Sequence, residues 1–80
     1  MWIICENGDA VNLTMISELQ AFGGEIRAYY GRADYVTVQK CNSIDEAQDM
    51  IYDILSLQAN GSKLLNICPA VAARNMELED

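Results

Sequence analysis

Histidine is absent from this 80-residue chain, and the absence removes a good deal of chemistry. A Cys–His nucleophilic pair is excluded outright, and no histidine is available to complete a zinc site. Cysteine is sparse: the three thiols at positions 5, 41 and 68 are odd in number, widely spaced and form no C-x-x-C pair, so they read as reduced thiols of a cytosolic chain. One proline and five glycines give no linker composition. Positive charge is scarce too, with five Lys and Arg against twelve Asp and Glu, a net of -7. A surface of that sign repels phosphate backbones and anionic lipid, which argues against direct nucleic-acid or membrane binding and for a partner with a basic surface. No apolar run approaches ~18 residues, and no basic region followed by a long apolar stretch opens the chain, so the expected location is cytoplasmic.

What is present points to a packed core. Hydrophobic residues make up 51% of the chain, yet a domain of this size buries only about 60 per cent of its unfolded surface. Nearly every apolar face must therefore find a partner, if necessary on a second copy.

Turn and cap signals organise the sequence. Asn7-Gly8 predicts a hairpin with a two-residue type I′ loop, in which Glu6 faces Asp9, Ile4 faces Val11 and Trp2 faces Leu13. Trp2, Ile4, Val11 and Leu13 then form one apolar face, against which the later helix packs. Length allows a helix over Thr14 to Phe22, but pairing across Gly23-Gly24 favours strands: Ala21 faces Ile26, Leu19 faces Ala28, and Gln20 faces Arg27 on the other side. Tyr35 to Lys40 reads as a further strand. For Val36 and Val38 to share a face with Ile26, Ala28 and Tyr30, the intervening connection needs three or five residues, or a bulge.

Ser43-Ile44-Asp45-Glu46 is a capping box that starts a helix, with the Glu46 carboxylate reaching back to the N–H of Ser43. Ala47, Met50, Ile51, Ile54, Leu55 and Gln58 fall on its inner side, Asp45, Gln48, Asp49 and Asp53 largely on the other, and Asn60-Gly61 supplies its C-terminal cap. Lys63 to Ile67 reads as a last strand or an extended arm. Pro69 starts a short helix that frays in the acidic end Glu77-Leu78-Glu79-Asp80. The expected fold is α+β: an antiparallel meander of four to five strands with one amphipathic helix packed on one face, plus a short C-terminal helix. Residues 1–61 form the meander-plus-helix domain and residues 62–80 a C-terminal arm and short helix.

The opening Met1-Trp2-Ile3, the glycine turn, Asn12-Leu13 with Ile16 downstream, the meander, and Ser43 to Ala47 opening a helix rich in isoleucine and leucine resemble a loose group of small proteins from Gram-positive bacteria, their phages and mobile elements. The resemblance covers roughly residues 1 to 60. Ile4-Cys5 departs from it, since the group more usually carries a basic or polar residue there, as does the segment after Gly61. It implies a fold and a mobile-element setting, and it supplies no active site.

Three groups of residues invite a functional reading. Glu6 and Asp9, as opposed carboxylates, suit acid–base work or a hard cation, but a solvated turn accounts for them better. Tyr29, Tyr30, Arg32 and Tyr35, with Asp34, gather aromatics and an arginine around one loop, the composition of an interaction hot spot or of a stacking platform for a small nucleotide. Asp45, Asp49 and Asp53 line a negative helix face able to imitate nucleic-acid phosphates and occupy a basic groove. The expectation is thus a non-catalytic interaction protein, with no cofactor and no metal, that binds and blocks a host protein such as a defence nuclease, in an anti-CRISPR-like role. The alternatives are an oligomeric sponge for a small nucleotide immune signal and a structural homodimer.

Overall fold

In the computed structural model, which describes residues 1–73, the chain runs β1 (Trp2–Ile4), β2 (Ala10–Asn12), a 3-10 turn (Leu13–Met15), β3 (Glu18–Phe22), β4 (Glu25–Tyr29), β5 (Tyr35–Lys40), α1 (Ile44–Ala59) and β6 (Leu64–Asn66). A last helix, α2, starts at residue 69 and is described to residue 73; the acidic end Glu77–Asp80 lies outside the described residues. The fold is α+β, with α1 packed on one face of the antiparallel meander β3-β4-β5. A second sheet, ordered β2-β1-β6, adds an antiparallel pair and one parallel pair. Residues 64–66 are therefore its third strand, locked beside β1 by Trp2 N–H donating to the Lys63 carbonyl and Ile67 N–H to that of Ile4, both at 2.9 Å. No helix among the described residues is long and apolar enough to cross a membrane.

The meander follows its turn chemistry. Gly23 and Gly24 both take positive φ, +58° and +86°, so a two-residue loop closes and places Ala21 opposite Ile26, Leu19 opposite Ala28 and Gln20 opposite Arg27. The connection between β4 and β5 has five residues, 30–34, and a bulge near Ile26 and Arg27 accompanies it. Val38 is the extra residue of that bulge, since Thr37 pairs with Arg27 and Gln39 with Ile26. Its freed carbonyl accepts from Glu6 N–H at 2.9 Å, which ties the first hairpin to the meander. Tyr30 does not join the inner face: β4 ends at Tyr29, and Tyr30 turns outward with its N–H bonded to the Asp34 carbonyl.

The first hairpin differs by one residue from the two-residue expectation. Trp2 pairs with Asn12, Ile3 with Val11 and Ile4 with Ala10, so Cys5 closes against Asp9 and the loop is Glu6-Asn7-Gly8. Only Gly8 takes positive φ, while the Asn7 side chain accepts from Asp9 N–H at 3.0 Å; this is a type I turn followed by a glycine bulge. A slip of one residue reverses every side chain. Ile3 and Cys5 are fully buried and Trp2 is half exposed, so the apolar face of β1 is Ile3 and Cys5, not Trp2 and Ile4. Glu6 no longer faces Asp9; its carboxylate accepts from Lys40 N–H at 3.2 Å.

Both sheets and α1 share one core, formed by Ile3, Cys5, Leu13, Ile26, Ala28, Val38, Ala47 and Ile54. At the start of α1, Ser43 Oγ accepts from Glu46 N–H at 3.1 Å as the capping box requires. The reciprocal bond is displaced by one residue, because the Glu46 carboxylate meets Asn42 N–H rather than that of Ser43. At the other end Gly61, at positive φ, lets Ser62 N–H reach the Leu57 carbonyl and its own N–H that of Gln58, a Schellman closure. Ala47 and Ile54 are buried as expected, but Leu55 is 47% exposed and lies on the flank of the helix.

Candidate functional site

Of the groups singled out in the sequence, the tyrosines and the acids of α1 lie on opposite sides of the meander. Ile26 and Ala28 point into the core shared with α1, so Glu25, Arg27 and Tyr29 alternate onto the far, open face. There the Tyr29 and Tyr35 rings meet at 5.2 Å with a 43° tilt. The cation among them is Arg27, not Arg32. Its guanidinium lies 4.1 Å from the Phe22 ring centroid and 4.3 Å from that of Tyr35, a cation held between two aromatic faces. Arg27 Nη1 donates to the Tyr29 hydroxyl at 3.5 Å, and Nε sits 3.5 Å from the Glu25 carboxylate, an ion-pair contact without hydrogen-bond alignment.

This cluster sets the local electrostatics. The bond to the Tyr29 hydroxyl, with Glu25 behind it, raises the Arg27 pKa against the opposing effect of burial. The Thr37 hydroxyl, donating at 2.7 Å, lowers the Glu25 carboxyl below its ordinary value, aided by Arg27 and Lys40. Pairing across Gly23-Gly24 already puts Arg27 on the face of Glu25 and Tyr29, so the signal for this cluster was in the register. Tyr30, Arg32 and Asp34 are exposed on or beside the 30–34 connection.

Asp45, Asp49 and Asp53 are exposed along the side of α1 turned away from the core, four residues apart and hence on one stripe. Asp45 stands in the first turn with Glu46, where the helix dipole favours a carboxylate. Asp49 and Asp53 have no such role, and α1 carries no lysine or arginine to pair with them. Among the described residues the one ion pair is Arg27 with Glu25, on the far side of the sheet. Tyr52, 76% exposed, stands beside the stripe.

Between α1 and β3 two cavities adjoin. One, of about 410 Å³, is lined by β3 together with Gln48, Ile51 and Tyr52; the other, of about 250 Å³, by Leu13, Ile16, Leu19, Ile51 and Leu55 among others. They share Glu18, Leu19 and Ile51, and among the described residues Glu18 is the one charged residue lining either. The thiols are quiet by comparison: burial first, then Asp9 and Glu6, pushes Cys5 up to about 11, and burial with Glu46 and Glu6 raises Cys41. Among the described residues no three acids or thiols converge on a metal-sized site.

No family model, curated protein or solved structure matches this chain.

Proposed function

We propose that this chain is a non-catalytic acidic interaction protein that binds the basic surface of another protein through the outer face of α1. The observation that carries the reading is the charge of Asp45, Asp49 and Asp53, without an ion pair among the described residues: exposed on one stripe, on a helix without a basic residue. Like charges four residues apart weaken a helix by about 0.2–0.5 kcal/mol per pair, so the stripe is a cost to the fold that a basic partner offsets. A carboxylate array of this kind suits the groove in which a nucleic-acid-binding enzyme holds phosphates, and it speeds association with such a groove. Together with the resemblance to phage and mobile-element proteins, this supports a blocker of a host defence nuclease, anti-CRISPR-like, acting in the host cytoplasm.

A nucleotide-sequestering role draws less support. Tyr35 already has Arg27 over its ring, and among the described residues no cation lines the larger cavity to meet a phosphate.

The test is capture of partners from a Gram-positive host lysate on the immobilised full chain, followed by identification and by assay of nucleic-acid binding by the captured protein. A nucleic-acid-binding protein released by moderate salt or by heparin, blocked by the chain, and lost with the triple substitution D45N/D49N/D53N is the expected result. Capture that is indifferent to that substitution, or no capture, overturns the reading.

A further inference from the structure

We propose that two copies of this chain associate through the free edge of β3, joining their meanders into one continuous antiparallel sheet. The strand edges of the molecule are not equivalent. β2 and β6 have three residues each, short enough to be poor templates for pairing. The edge of β5 is partly occupied, because Glu6 takes both the Val38 carbonyl and the Lys40 N–H. β3 has five residues, no lysine or proline, and no neighbour on its outer side among the described residues.

The register of such a pair follows from the hairpin. With Gly23-Gly24 as a two-residue loop, Phe22 and Glu25 form the closing hydrogen-bonded pair, and alternation directs the backbone groups of Leu19 and Ala21 away from β4. A two-fold axis at Gln20 then sets Leu19 against Ala21 of the second copy, each pair exchanging its N–H and C=O bonds. On the open face Glu18 meets Phe22 of the second copy rather than another carboxylate. On the inner face leucine meets alanine.

The helix flank completes the contact. Ile44, Gln48, Ile51, Tyr52 and Leu55 recur at helical spacing as an uncharged stripe, and the last four line the cavities beside β3. Three of the five, Ile44, Tyr52 and Leu55, are among the large apolar side chains left exposed. A two-fold axis normal to the sheet keeps both helices on one face and brings these flanks toward each other. Charge selects the occupant. The chain carries a net of -7, yet its helix acids are turned further round, away from the groove. A basic strand would find Glu18 alone to meet it, whereas an equally acidic copy requires a neutral seam. The acidic stripe of each copy stays outside the contact, so this proposal stands or falls independently of the partner reading above.

The experiment is sedimentation equilibrium of the full chain over a wide concentration range, combined with oxidative cross-linking. Directly opposed, non-hydrogen-bonded residues lie about 4.5 Å apart between Cα atoms, close enough for a disulfide. In a Cys41→Ala background, whose remaining thiols are buried, Gln20→Cys forms a covalent dimer readily and Glu18→Cys does not. The wild-type mass rises from one chain to two with concentration, and Q20K/Y52D raises the dissociation constant by about tenfold or more with an unchanged circular dichroism spectrum. A single-chain mass over the whole range overturns the proposal. So does cross-linking no faster at Gln20→Cys than at Glu18→Cys, or a dimer that Trp2→Lys abolishes and Q20K/Y52D leaves intact.

Discussion

The Glu6-Asn7-Gly8 turn and the Gly23-Gly24 turn both reverse a strand on glycine, but they close different loops. At the second, both residues are left-handed and the loop has two residues. At the first, Asn7 keeps negative φ, its side chain bonds Asp9 through both the backbone N–H and the carboxylate, and only Gly8 is left-handed, so the loop has three. A glycine pair accepts the type I′ geometry without strain, whereas Asn-Gly is compatible with either loop. Where the turn leaves a choice, distant neighbours make it: β5 holds Glu6, and β6 lies along β1. That choice decides which half of β1 enters the core.

The sharpest way to break the comparison is to truncate β1 on each face. Ile3→Ala, at a fully buried site, costs about 2–5 kcal/mol in urea denaturation. Trp2→Ala costs less although it removes more atoms, because Trp2 is half exposed; the opposite ranking would restore the two-residue loop. At the turns themselves, Gly8→Ala, Gly23→Ala and Gly24→Ala each cost about 1–2 kcal/mol, since all three positions have positive φ. Asn7→Ala costs about 0.5–1.5 kcal/mol, the loss of one side-chain bond without backbone strain. A cost for Asn7→Ala matching that for Gly23→Ala, together with a left-handed Asn7 in NMR couplings, would make the two turns alike.

Cys5 reports on the same register through its thiol. Its folded value, about 11, lies above the unfolded value of about 8.5, so the neutral thiol stabilises the fold fully below about pH 8.5 and that contribution is lost as pH rises through about 11. The urea midpoint therefore falls between about pH 8 and about pH 10.5 by more in the wild type than in Cys5→Ala. Native Cys5 also alkylates more slowly than Cys41, read by mass spectrometry. The smallest effect falls beside the second turn, where β5 meets β4: Thr37→Val removes the hydroxyl that lowers Glu25, and an NMR titration finds that carboxyl moved up toward its ordinary value. Since a lowered carboxyl contributes stability above the unfolded value of about 4.3 and loses it as pH falls through the folded one, the variant shows a weaker acid dependence.

Much of the fold was legible residue by residue. Gly23-Gly24 sets the β3–β4 register, the serine at 43 starts α1, and Gly61 ends it, each through hydrogen bonds to neighbours a few residues away. The candidate site was legible in part. The acids of α1 follow from helical spacing, and Tyr29 beside Tyr35 follows from strand pairing, but composition points to Arg32 in the loop, whereas the folded chain holds Arg27 between Phe22 and Tyr35. The groove beside β3 was not legible, because it arises where a helix and a sheet edge meet and neither signals the other.

By itself, then, the sequence determined the pairing of β3 with β4, the extent and caps of α1, and the acidity of its outer face, because turns, caps and helical stripes are decided by residues within a few positions of one another. Tertiary structure alone decided that Ile3 and Cys5 rather than Trp2 face the core, that β6 joins β1 in parallel, and that among the described residues β3 has no strand on its outer side. Those outcomes depend on what lies alongside each strand from elsewhere in the chain, Val38 beside Glu6 and Leu65 beside Ile3, and a strand's parity shows no preference until that neighbour is in place.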